Sequence, residues 1–153
     1  AAGPSAARYD EGVQGRGAQR RRQTVEGPST TTWMVRNIPL AYTQEMLLLE
    51  WPVDGQYDFL YVPRSHRGPS HLGYAFINFV SEELALEFRR RWHGKSLAHA
   101  EPNARHLSIL AADVQGFDAN LRQLKKKRVC RITQPEWRPI LVRDGCRIEL
   151  SSV

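Results

Sequence analysis

The sequence predicts an α+β fold with element order β-α-β-β-α-β, the split βαβ or ferredoxin-like arrangement. Three observations carry this reading. Residues 32–38 and 72–79 alternate with the two-residue period of strands. Two other stretches place apolar residues at helical spacing behind a capping residue. Proline or glycine punctuates the junctions between them. A four-stranded antiparallel sheet with two helices on one face follows, and its other face is left uncovered by the core elements.

The elements run in this order. Residues 1–30 are rich in Gly, Ala, Gln, Arg and Ser, too poor in apolar surface to offset the entropy of ordering, so a disordered basic tail is expected. Its Arg20-Arg21-Arg22 cluster reads as a solvated charge run, with a phosphate contact or a nuclear-import signal as alternatives. Thr32-Trp33-Met34-Val35-Arg36-Asn37-Ile38 is the first strand, ended by Pro39. Thr43 is placed to cap a short helix carrying Met46, Leu47 and Leu49, with Glu45 in its first turn. Pro52 stops it by restricting Trp51.

Asp54-Gly55 marks a turn before the second strand, Tyr57 to Val62, which Pro63 closes. Residues 64–71 form a polar loop into the third strand. Ser81 caps the second helix, on which Leu84, Phe88 and Trp92 recur at four-residue spacing. Gly94 stands where a C-terminal cap belongs. The fourth strand is residues 105–112, with Leu107 and Ile109 on one face. The domain is thus expected over residues 31–114, followed by an extension over 115–153.

Bulk properties narrow the function. The chain has 153 residues and 41% hydrophobic content, enough for one core. Its 22 Lys+Arg against 16 Asp+Glu give a net charge of +6, which suits a polyanionic partner. No long apolar run suggests a membrane span and no signal-peptide pattern opens the chain, so an intracellular protein, nuclear or cytoplasmic, is expected. The chain begins at Ala1 rather than Met, as a piece of a longer protein would. Cys130 and Cys146 are compatible with a disulfide, but without export signals free thiols are favoured. No nucleophile–base pair, metal set, phosphate loop or dinucleotide fingerprint is present. An enzyme, a cofactor and a small-molecule substrate are therefore not expected.

The third strand carries the sharpest signal. Leu72-Gly73-Tyr74-Ala75-Phe76-Ile77-Asn78-Phe79 fits the octamer of RNA recognition motifs at every place but the first, which is usually basic. Alternation puts Tyr74, Phe76 and Asn78 on one face and Ala75, Ile77 and Phe79 on the other. Two rings on an open face suit unpaired bases. The companion hexamer lies on the first strand as Trp33-Met34-Val35-Arg36-Asn37-Ile38. Met34 stands at its base-stacking place, where a flexible thioether can cover a base. Arg36 points the same way and suits a phosphate or base edge.

On the second strand, one bulge would turn Tyr57, Leu60 and Val62 to the core and Phe59 and Tyr61 to the open face. Strict alternation would instead group Tyr57, Phe59 and Tyr61.

These residues resemble the C-terminal RNA recognition motif of the Mei-two-like meiosis-regulator family. The resemblance rests on Asn37-Ile38-Pro39, Tyr42-Thr43-Gln44, Met46-Leu47 and Tyr57-Asp58-Phe59-Leu60-Tyr61. It continues through residues 73–79, Gly94-Lys95, Val114-Gln115-Gly116 and Arg138-Pro139-Ile140-Leu141. The family has Met at the Met34 place and a non-basic residue at the Leu72 place. The chain departs from it at Leu40-Ala41, usually more polar, and at Trp137, usually Cys. The resemblance implies RNA binding and a role in meiosis or development.

In the extension, Phe117, Leu121 and Leu124 have helical spacing after Gly116, and Lys125-Lys126-Lys127-Arg128 follows at the expected helix end. The helix could dock on the domain with its basic run solvated, contact phosphates through that run, or lie across the front of the sheet and compete with RNA. Residues 140–142 and 146–150 flank Asp144-Gly145, a hairpin-type dipeptide.

The expected function is a single-stranded RNA-binding module. Its contacts would be Met34, Arg36, Phe59, Tyr61, Tyr74, Phe76 and Asn78, with phosphate contacts at Lys125, Lys126, Lys127 and Arg128. The alternative is a protein-interaction module on the same fold that engages a peptide, and a protein partner could also use the C-terminal extension. Single-stranded DNA remains open, because stacking does not distinguish the sugars.

Overall fold

A computed structural model of the chain describes residues 30–127 and 132–152. The expected tail, save Thr30, lies outside the described residues, as do Arg128 and Cys130. The first strand, β1 (Thr32–Arg36), runs antiparallel to β3 (Tyr74–Phe79) on one side and to β4 (Ser108–Ala111) on the other. On its far side β3 pairs with β2 (Tyr57–Tyr61). Helices α1 (Gln44–Glu50) and α2 (Glu82–Trp92) complete the β-α-β-β-α-β order.

The helix boundaries follow the capping chemistry. Thr43 accepts from the Met46 N–H at 3.1 Å, and Ser81 accepts from the Leu84 N–H at 3.2 Å. Each bond satisfies a donor that has no partner within its helix. Leu84, Phe88 and Trp92 are half-buried against the core, while Ala85 is the fully buried residue of α2. The core lies between these helices and the sheet and contains Trp33, Val35, Leu60, Ala75, Ile77 and Ile109. Trp33 closes it from the sheet side by donating from Nε1 to the Ala85 carbonyl at 2.8 Å.

Strand β2 is bulged. The register shifts between Tyr57, opposite Phe79, and Phe59, opposite Asn78. The extra residue, Asp58, lets Tyr57, Leu60 and Val62 join the main core while Phe59 turns to the front.

The sheet does not stop at four strands. Strand β5 (Ile140–Arg143) pairs with β2, and β6 (Cys146–Ile148) pairs with β5, giving the order β4-β1-β3-β2-β5-β6. Asp144 and Gly145 take φ of 52° and 78°, the left-handed pair that a two-residue hairpin turn demands. The exposed Cys146 is a free thiol.

The extension's helix, α3 (Phe117–Lys126), crosses the front of the sheet. A second core forms beneath it from Phe59, Leu121, Leu124 and Leu141, flanked by Tyr61, Phe76, Phe117 and Ile148. The front is therefore only partly open.

Candidate nucleic-acid interface

Register places the sequence-derived residues on one face. Met34 is opposite Phe76, Arg36 opposite Tyr74, and Tyr61 opposite Phe76 on the other side. Met34, Tyr61, Tyr74 and Phe76 are half-buried, and Arg36 is exposed. The Tyr74 and Phe76 rings lie 5.6 Å apart, edge to face at 83°.

These four half-buried side chains line a cleft of about 390 Å³ between the sheet and α3. Gln123 lines it from α3 and Lys127 from the position just after that helix, Phe59 and Leu124 also border it, and residues 111–114 close the β4 end. Desolvation is the chief reason that the Tyr61 hydroxyl titrates above its ordinary range, with a smaller contribution from Tyr74. It stays neutral at physiological pH and can donate a hydrogen bond.

Two expected contact residues are covered. Phe59 is 1% exposed because Leu121, Leu124 and Leu141 pack with it. Asn78 is 3% exposed and belongs to a polar network. Its Oδ1 accepts from the hydroxyls of Thr31 at 2.8 Å and Thr32 at 2.6 Å, and its Nδ2 donates to Asp58 at 2.8 Å. In this arrangement Asn78 is not part of the cleft's lining, and Phe59 borders it with almost no exposed surface. Burial raises the Asp58 carboxyl above its ordinary range, partly countered by the Asn78 bond.

The same network anchors α3. Thr32 Oγ1 accepts from the Gly116 N–H at 2.9 Å and from Asn120 Nδ2 at 3.4 Å. Gln115 is the tie between the helix start and β1. Its Oε1 accepts from the Thr31 and Thr32 N–H groups at 2.9 and 3.0 Å, and its Nε2 donates to the Thr32 and Ala112 carbonyls at 2.9 Å each. Farther along, Arg143 lies over the Phe117 ring at 5.3 Å.

Among the expected phosphate contacts, Lys125, Lys126 and Lys127 are exposed, and Lys127 is the one that lines the cleft. Arg128 lies outside the described residues. Sequence reasoning missed Gln115, Asn120 and Gln123. The signal for the last two was present, since Asn120, Gln123, Leu124 and Lys127 share one helical stripe with the buried leucines.

The family model for RNA recognition motif 2 matches residues 30–125. The chain belongs to this family. It is an RNA recognition module of the Mei2-like kind, and its match ends inside α3. Protein MEI2-like 5 of Arabidopsis thaliana is 42% identical over 94 residues, covering 60% of this chain and 12% of the relative. Meiosis protein mei2 of Schizosaccharomyces pombe is 33% identical over 122 residues, covering 75% of this chain and 16% of the relative. This domain thus spans a small part of the length of those relatives.

Among solved structures, the Rna15 RRM with bound RNA (GU) is 22% identical with a TM-score of 0.47, covering 63% of this chain and 96% of that one. The second RRM domain of the yeast poly(U)-binding protein Pub1 is 24% identical with a TM-score of 0.45, covering 57% of this chain and 100% of that one. Among the described residues no helix is long and apolar enough to cross a membrane.

Proposed function

We propose that the domain binds single-stranded RNA in the cleft between the sheet and α3. The carrying observation is that Tyr74 and Phe76 line this cleft beside Met34 while Phe59 is covered by the helix. Bases stack on the two rings, and Met34 covers a neighbouring base. The rings are nearly perpendicular, so successive bases on them are splayed rather than parallel. Arg36, exposed at the strand end, and Lys127, on the opposite wall, contact phosphates. Lys125 and Lys126 add to the field that draws the strand in. The site holds about two or three nucleotides, the number of bases that the sheet of this fold commonly stacks.

By kinship with the mei2 protein, the transcripts bound belong to meiotic or developmental regulation, handled in the nucleus or cytoplasm. The C-terminal hairpin, on the edge of the sheet, is available to a protein partner. The rival reading is a peptide-binding module on the same front. It is favoured by one observation, the helix covering Phe59.

Fluorescence anisotropy with labelled random-sequence RNA tests the proposal. Tyr74→Ala should weaken binding by about 5- to 150-fold, the value of one ring–base stack. Unchanged affinity in the folded variant would remove Tyr74 from the site. Absence of any RNA binding, with a salt-insensitive peptide complex in its place, would favour the rival.

A further inference from the structure

On the opposite, helical side of the sheet, α1 and α2 border a second cleft of about 340 Å³. Its lining includes Trp51, Phe88 and Trp92. Trp51 meets both other rings edge-on, at 5.2 and 6.0 Å between centroids. Trp51 is 3% exposed, and its indole Nε1–H has no acceptor among the described residues. Trp33, in the same core, has its acceptor in Ala85.

The polar lining has its own sign. Glu50, Asp54 and Glu87 contribute three carboxylates against the one guanidinium of Arg91, on a chain with a net charge of +6. Glu50 is engaged by the Tyr42 hydroxyl and the Ala98 N–H, and Asp54 by Gln56. Glu87 has no ion pair among the described residues, and Arg91 lies 5.9 Å from the Trp92 ring centroid. Carboxylates repel a phosphate backbone, so this cleft is not a continuation of the RNA site. Aromatic rings beside carboxylates suit a cation, which gains from both the ring faces and the negative charge.

We propose that this cleft docks a basic peptide segment of a partner protein. A lysine or arginine side chain of the segment enters between Asp54 and Glu87, beside the Phe88 and Trp92 rings. Because the rings of the two clefts lie on opposite sides of the sheet, the peptide and RNA bind together without competing.

The test pans a phage library of short random peptides against the immobilised 153-residue chain, in parallel with its Asp54→Lys and Glu87→Lys variants. Both changes are at exposed positions. The expected result is enrichment of Lys- or Arg-containing peptides, with recovery falling about tenfold on the charge-reversed variants. A synthetic copy of the enriched peptide should shift the Trp51 indole N–H resonance and leave RNA affinity unchanged. A chain with a positive net charge repels cationic peptides elsewhere, so enrichment of this kind points to the acidic cleft. No enrichment, enriched peptides lacking a cation, equal recovery on both variants, or displacement of the peptide by RNA would each overturn the proposal.

Discussion

Replacing Gln115 with alanine should loosen α3 from the sheet. The side chain makes four hydrogen bonds, two accepted by Oε1 and two donated by Nε2, all between 2.9 and 3.0 Å. A typical intramolecular hydrogen bond contributes about 0.5–1.5 kcal/mol net, so the set sums to about 2–6 kcal/mol. Thr31 and Gln115 are half-buried, and water can reclaim part of that sum, whereas Thr32 is fully buried. A loss of about 2–4 kcal/mol is expected.

It should fall on helix docking first. Hydrogen exchange at the α3 amides should accelerate by about 30- to 1000-fold, with smaller changes in β1 and β3. Gln115→Glu should be worse than alanine. It keeps an acceptor for the two N–H groups but turns a second oxygen toward the Thr32 and Ala112 carbonyls. RNA affinity should fall with helix docking, because Gln123 and Lys127 form one wall of the proposed site. An alanine variant with wild-type unfolding midpoint and wild-type α3 exchange would refute the reasoning. It would mean that water replaces the amide at no cost.

Lys127→Ala should weaken RNA binding and lower the slope of log affinity against log salt by about 0.7, the share of one single-strand phosphate contact. An unchanged slope would place the lysine off the backbone. His71 is 4% exposed, and burial depresses its pKa below the ordinary 6.5. Its Nδ1 accepts from the Gly73 N–H at 2.9 Å, and Nε2 lies 3.1 Å from the Pro39 carbonyl, so the neutral ring fits. Between the folded and unfolded pKa values the unfolded chain binds more protons. The contribution is therefore complete above pH 6.5 and is lost as pH falls toward the folded value. Denaturant titrations from pH 8 to 5 should show this loss, and His71→Gln should flatten it. Equal pH dependence in the two proteins would exclude His71 as its source.

Much of the fold was legible because it is set locally. Thr43 and Ser81 announce their helices through the donors they satisfy, and Asp144-Gly145 announces a turn through the φ values it tolerates. The bulge in β2 was readable because Tyr57, Leu60 and Val62 cannot share a face without it. The strand to which residues 140–143 would attach was not legible, since pairing across some eighty positions leaves no local period. The candidate site was half legible for the same reason. Alternation assigns Phe59 and Asn78 to the front, but it says nothing of what lies over them. Their burial depends on a leucine pair more than sixty residues away for Phe59, and on threonine hydroxyls more than forty away for Asn78.

The β5–β6 hairpin also changes what the sheet offers to other chains. Without it, β2 would be a terminal strand with a free line of amides and carbonyls, a template for recruiting foreign strands. The outermost strand is instead three residues long and carries Arg147. So brief and charged a border recruits poorly on this side of the sheet.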